Sequence, residues 1–236
     1  RLLFFYYRRK LMTEQELQYV QIQKMFQRGT VHILELDHHD FFIQETNSTV
    51  YVLYSQDTQK AKRWLIKHEN EEKYELMMFN YQAIRDFAYE RYHLGEGIIC
   101  YQAIYEPKQI TLPDTSLQII KAKIKDLEII LHYYDKLSKY ELQSIIEQGN
   151  LYLGYEGNQL AGFIGEHLEG SMGLLYILEE YRNKGYGYIL ESYLIQETIN
   201  KGFIPYCHVE CDNEASLALQ RKLKLSITKE KLYWLF

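Results

Sequence analysis

Apolar positions recur along the chain with two periods, one helical and one alternating, and they change places often enough to mark out more than a dozen elements. From Thr13, "TEQELQYVQIQKMFQRG" has the helical spacing and ends at Gly29, with Thr13 and Glu16 placed as a capping box. "VHILEL" and "TVYVLYS" are rich in β-branched and aromatic residues and predict strands. The pattern then alternates: "TQKAKRWLIKH" as helix, "YELMMF" as strand, "YQAIRDFAYERY" as helix and "GIICYQAIY" as strand. "EPKQITLPDTS" holds two of the three prolines and predicts a linker near 106–116.

Beyond the linker, "LQIIKAKI" predicts a strand, and "DLEIILHYYDKL" and "KYELQSIIEQG" two short helices. "LYLGYEGNQLAGFIGEH" predicts a hairpin turning at Gly157-Asn158. "GSMGLLYIL" follows as a strand, and "YGYILESYLIQETINKG" as a helix with apolar residues at 189, 190, 193 and 194 that stops at Gly202. "FIPYCHVE" reads as a strand, "NEASLALQRKL" as a helix and "KLYWLF" as a last strand. The fold class is α/β with a mixed sheet and flanking helices. Two units are expected, 12–110 and 115–236, the first a smaller α/β domain with a similar order of elements, which a duplicated fold would explain.

Composition narrows the functions. The chain has 236 residues, 47% hydrophobic and 25% charged, with a net charge of −5, enough for a sizeable core and poorly suited to a broad nucleic-acid surface. The 23 tyrosines have no spacing of their own and read as packing groups. Cys100, Cys207 and Cys211 are odd in number and lack disulfide-like spacing, which points to reduced thiols and a cytoplasmic location. In "CHVEC" strand alternation puts His208 on the opposite face from both cysteines, and "LDHHD" at 36–40 reads as a solvated turn, so no metal site is expected. The opening "RLLFFYYRRK" has six apolar residues in a row, below the roughly 7 to 15 of a signal-peptide core and the roughly 20 of a membrane span. Residues 1–11 are read as an extension or artefact ahead of Met12, and no membrane partner is expected.

The segment most suggestive of chemistry is "EEYRNKGYGYIL" at 179–190, where a strand passes through a basic, glycine-containing loop into a helix. The first turn of a helix leaves backbone N–H groups unpaired and favours anions, by about 0.3 to 1 kcal/mol per charge. Gly185 and Gly187 would let phosphate oxygens approach those groups, and Arg182 and Lys184 would add charge. On these residues alone, a pyrophosphate site and a merely tight connection both remain open. Leu190 stands where the third glycine of a dinucleotide fingerprint belongs, and no GK[ST] follows for a Walker loop.

Arg182-Asn183-Lys184-Gly185-Tyr186-Gly187 resembles the R/Q-x-x-G-x-G/A motif of the GNAT superfamily of acyl-CoA-dependent N-acyltransferases. "KGFIPYCHVECDNEASLALQRKL" is similar to that family's next strand and helix, and its "GF..Y.HV...NEA" pattern resembles the glycine N-acyltransferase branch. The resemblance covers roughly 115–236. It implies that the loop from Arg182 through Asn183, Lys184, Gly185, Tyr186 and Gly187 to Tyr188 cradles the pyrophosphate of acetyl-CoA or another acyl-CoA. The strand end at Ile177 and Leu178 would pair with the pantetheine, Ile177 N–H would serve as oxyanion donor, and Asn213 and Ser216 would contact the cofactor from the other side.

The candidate bases are Glu169, Glu166, His208 and Glu210, weighed equally, and a histidine's near-neutral titration would suit His208 to the role. Gln220 stands where the family often places the tyrosine that protonates the leaving thiolate, and Lys224-Leu225 replaces its usual Gly-Phe. The expected activity is N-acyl transfer, most readily N-acetyl transfer, to a primary amine of a small molecule or a protein. The alternative is a non-catalytic acyl-CoA-binding or interaction module.

Overall fold

The computed structural model describes residues 11–236; the extension read over 1–11 lies outside them except for Leu11. The first helical stretch divides at Tyr19 into α1 (Glu14–Gln18) and α2 (Val20–Arg28), because Tyr19 N–H closes a tight turn onto the Glu16 carbonyl at 3.1 Å. The capping box at Thr13 and Glu16 is present, and Gly29 ends α2 at φ 70.

The first half continues through β1 (Val31–Asp37), β2 (Asp40–Glu45), β3 (Tyr51–Tyr54), α3 (Thr58–His68), β4 (Met77–Phe79), α4 (Gln82–Tyr92) and β5 (Ile99–Ile104). β2 is absent from the sequence reading. Its Phe41-Phe42-Ile43 run is buried on both faces, Phe41 and Ile43 in one core cluster and Phe42 in another, so it lacks the alternation that identifies a half-buried strand. "LDHHD" is the β1–β2 hairpin, with His38 in the left-handed region at φ 56.

The linker has no helix or strand between 105 and 117. β6 (Gln118–Lys121), α5 (Leu127–Tyr133), α6 (Lys139–Glu147), β7 (Leu151–Glu156), β8 (Gln159–Glu166) and β9 (Met172–Ile177) come next, then α7 (Tyr186–Asn200), β10 (Tyr206–Glu210), α8 (Glu214–Lys222) and β11 (Ser226–Leu235). β11 starts five residues before the stretch "KLYWLF" that predicts it, since its polar "TKE" interrupts the apolar pattern.

The eleven strands of the described residues join one mixed sheet in the order β1-β2-β3-β4-β11-β5-β10-β9-β8-β7-β6. The last strand lies between β4 and β5, and β5, from before the linker, lies between β11 and β10. On β10, Cys207 and Val209 enter a core with Leu190 and Leu194 of α7 and Leu217 of α8. Alternation turns Tyr206, His208 and Glu210 to the other face, where Tyr206 packs with Leu17 and Val20 at the α1–α2 junction.

Candidate functional site

β9 and β10 run parallel and pair only at Met172–Cys207. β9 carries a bulge, because its register with β8 shifts between Gly165–Gly173 and Phe163–Tyr176, and Leu174 within it has φ 52. A bulge bends its strand, and past this one β9 makes no further pair with β10. Leu178 N–H donates to the Ala161 carbonyl at 3.0 Å, so alternation turns the N–H and C=O of Ile177 away from β8, toward the open side. Arg182 Nε donates to that carbonyl at 3.2 Å.

After Leu178 the chain makes a 3-10 turn over Glu179–Tyr181, extends at Arg182, enters the left-handed region at Asn183 (φ 61) and Gly185 (φ 83), and starts α7 at Tyr186 with no side-chain N-cap. Arg182, Asn183, Lys184 and Gly185 are exposed. The first-turn N–H groups of a 15-residue helix therefore lack a side-chain cap and start next to two exposed cationic side chains. Gly185 is required by its φ. A Cβ at Gly187 would reach only ordinary contact distance from Leu175 and Leu219, 3.7 and 3.8 Å, so the chain's own packing does not demand that glycine. A bare helix start with an unneeded glycine suits a ligand that lies against the backbone.

Glu156, at the end of β7, contributes a residue that sequence reasoning missed. Its Oε2 lies 3.2 Å from Lys184 Nζ, and its Oε1 accepts from the Tyr186 hydroxyl. The Tyr186 hydrogen bond first, and Lys184 after it, hold this carboxyl below the usual range. Lys184 also lies 4.7 Å from the Tyr181 ring centroid, and Lys222 of α8 lies 4.9 Å from that of Tyr188. Asn213 caps α8, its Oδ1 accepting from Ser216 N–H at 3.0 Å.

The four candidate bases differ in their surroundings. Glu166 is buried and held by Lys24 Nζ and Thr198 Oγ1, both at 2.9 Å, with Lys201 Nζ at 4.0 Å. Burial raises its pKa, but Lys24 and Lys201 outweigh that and the net shift is downward. Glu169 is buried and accepts from the Ser171 hydroxyl. His208 Nε2 lies 3.2 Å from Gln102 Oε1. Gln102 Nε2 already donates to the Leu17 carbonyl at 2.5 Å, so its Oε1 is the acceptor and His208 Nδ1 carries the free lone pair. The near-neutral titration expected of His208 is corrected: burial pushes its pKa down to about 4, against the charge of Glu169. Its ring is thus neutral at physiological pH. Glu210, on the same face of β10, is half-buried.

On the α7–α8 side, Glu191 is only 4% exposed, and burial pushes its carboxyl up to about 7 against a hydrogen bond from Gln220. Gln220 is buried, and its Oε1 has no hydrogen-bond partner. Glu191 is visible in the sequence as a charge beside Leu190, on the apolar stripe of its helix. Among the described residues, no group of three or more His, Cys, Asp or Glu is placed to hold a metal, and no helix is long and apolar enough to cross a membrane.

Residues 121–224 match the model of the Acetyltransferase (GNAT) family. Among solved structures, an X-ray structure of a Drosophila protein is similar over 96% of this chain and 97% of its own, at 12% identity and a TM-score of 0.65. A GCN5-related N-acetyltransferase from Kribbella flavida is similar over 95% of each chain, at 12% identity and a TM-score of 0.60. A GNAT-family acetyltransferase from Colwellia psychrerythraea is similar over 96% of this chain and 98% of its own, at 12% identity and a TM-score of 0.53. No curated protein matches the chain. The mixed α/β fold is thus GNAT-like over nearly its whole length, and its segment 121–224 carries the sequence pattern of the GNAT acetyltransferases.

Proposed function

We propose that the protein is an acyl-CoA-dependent N-acyltransferase, with acetyl-CoA as the first donor to test, acting on a primary amine of a small molecule or a protein. One observation carries this reading: two parallel strands separate after a single pair, and the strand that bends away leads into the uncapped start of α7. Arg182, Lys184 and the N–H groups from Asn183 to Tyr188 would hold the pyrophosphate, and Ile177 would offer backbone groups to the pantetheine. Asn213 and Ser216 remain the candidates on α8. The "GF..Y.HV...NEA" pattern supports a relation to the glycine N-acyltransferase branch, and the free thiols of Cys100, Cys207 and Cys211 support a cytoplasmic setting.

Bound acyl-CoA supplies the thioester whose C–S bond is exchanged for a C–N bond. The chain must orient the amine, take its proton and offer a donor to developing negative charge. Ile177 N–H is the candidate donor. His208 is the favoured base, because Gln102 fixes its ring and leaves Nδ1 with a lone pair. Glu169 and Glu210 are the other carboxylates on offer, whereas Glu166 is committed to Lys24. Calorimetric titration with acetyl-CoA tests the cofactor site, and a folded protein that binds none at millimolar ligand ends this reading. The buried amide at Gln220 favours a second one, a non-catalytic acyl-CoA-binding module; binding without thiol release across a broad amine panel would establish it.

A further inference from the structure

Gly173 is the first residue of β9 past the single pair with β10, and an imidazole occupies the space of its missing side chain. A Cβ there would run into His167 Nε2 and lie 2.6 Å from His167 Cδ2, so the ring rests on the strand where β9 and β10 part. The paired residues, Met172 and Cys207, both enter the core under α7 and α8. The next residue of each parallel strand, Gly173 and His208, therefore turns to the opposite face. His167 and His208 thus flank the closed end of the opening on one side of the sheet.

The turn that carries His167 is held on both sides. His167 N–H donates to the Ser171 carbonyl at 2.8 Å, and Gly170 N–H donates to the His167 carbonyl at 2.9 Å. From α2, Lys24 Nζ donates to the Gly170 carbonyl at 2.6 Å and Arg28 Nη2 to the Leu168 carbonyl at 2.8 Å. The His167 ring itself has no hydrogen-bond partner among the described residues. His208 Nε2 donates toward β5, to Gln102 Oε1, and the two nitrogens of an imidazole point nearly opposite ways, so Nδ1 and its lone pair face β9. Tyr206 and Trp234 flank that ring, their centroids 5.5 and 5.6 Å from its own. Besides burial and the opposing charge of Glu169, His167 also bears on the His208 pKa, lowering it, so the two rings are within electrostatic reach. Both are half-buried, and a molecule entering here meets a nitrogen of each.

We infer that the acceptor amine is held between these two imidazoles, His167 Nε2 accepting one of its N–H groups while His208 Nδ1 accepts the other and takes its proton. The inference rests on the acyl-transfer reading. A neutral primary amine has two N–H donors and one lone pair; with both donors engaged, the lone pair is left to face a thioester lying in the opening. The C–N bond forms from that lone pair, the C–S bond breaks with its electrons leaving on sulfur, and the amine proton passes to His208. A secondary amine has one N–H and leaves one ring unpaired, so His167 makes the site selective for primary amines.

The test follows thiol release from acetyl-CoA by the full chain with propylamine, ethanolamine and benzylamine, each beside its N-methyl derivative. Wild type is expected to favour each primary amine it uses by at least about tenfold in kcat/KM. His167→Leu should raise the KM of the primary amine by a similar factor and erase the preference, at unchanged acetyl-CoA affinity. His167→Gln, whose Oε1 can accept where Nε2 did, should keep part of both. Gly173→Ala, which crowds the ring off the strand, should act as His167→Leu does with the histidine still in place. Thiol release in which the amine KM and the preference are indifferent to His167→Leu overturns the inference and leaves acyl transfer standing. A wild-type protein that binds acetyl-CoA and releases thiol with none of the amines ends the acyl-transfer reading, and this inference with it.

Discussion

Lys184 in the exposed loop and Glu156 on neighbouring β7 lie 3.2 Å apart, so one of the two cationic side chains of the proposed anion site has a carboxylate partner within the fold. An incoming phosphate must draw Lys184 and Tyr186 from Glu156 and then sit near that carboxylate. Glu156→Gln is therefore expected to tighten acetyl-CoA binding several-fold, most at low ionic strength. Calorimetric titration at two salt concentrations checks this; unchanged or weaker binding would show that Glu156 places the lysine rather than competes for it.

Gly185 and Gly187 separate fold from ligand. Gly185 holds φ +83, where an added Cβ costs about 1–2 kcal/mol, so Gly185→Ala should lower the melting temperature. Gly187→Ala finds only ordinary contacts inside the chain. It should leave the melting temperature within a degree or two of wild type and weaken acetyl-CoA affinity. A Gly187→Ala variant that binds as wild type would remove that glycine from the proposed cradle.

Lys24 and Glu166 join α2 to the end of β8 inside the protein, both at most 4% exposed. Removing one partner strands the other, at about 3–5 kcal/mol. Lys24→Met should lose most of that, and Lys24→Met with Glu166→Leu should recover much of it. Because the Glu166 pKa lies below its unfolded value, its contribution is complete above the unfolded value and is lost as pH falls through the folded one. A thermal melt series from pH 6 to pH 3 should therefore be shallower for the double variant than for wild type.

Glu191 gives the opposite sign. Its folded pKa, about 7, lies above the unfolded value, so stability is fully present below the unfolded value and falls as pH rises toward 7. Glu191→Gln should abolish that decline, a difference of up to about 3 kcal/mol by pH 8. Equal pH dependence of the two melts would place the Glu191 titration elsewhere.

His208 bears on rate as well as stability. With a folded pKa pushed down to about 4, a reaction that needs its neutral form should hold its rate from pH 8 to pH 5 and lose it near 4. A loss centred near 6.5 would assign the base to a group with an ordinary imidazole value. His208→Gln at unchanged acetyl-CoA affinity should lower kcat by about 10²–10⁴ if the ring is the base.

The loop was the legible part of the site, because strand, glycines and helix follow one another in sequence and each leaves a local mark. Gly185 and the start of α7 needed no tertiary information. Glu156 and Gln102 were out of reach: they meet Lys184 and His208 across 28 and 106 positions of chain, and only strand order brings them together. β2 escaped because double-sided burial removes alternation, and the start of β11 escaped because its bulge is made of polar residues. The titration of His208 was misjudged because the sequence shows the ring and not the desolvation around it.

The strand that joins the two parts of the sheet follows all the other described strands along the chain. β4 has β11 as its only neighbour besides β3, and β5 has it as the only one besides β10, so while a nascent chain lacks 226–235 the first four strands end at an open edge and β5 has one partner. The order of synthesis thus becomes an order of assembly, in which the first half waits for residues 226–235. Pairings of such long sequence separation are slow to form, and the exposed edges they leave meanwhile are open to other chains. For this protein the vulnerable interval is that of its own translation.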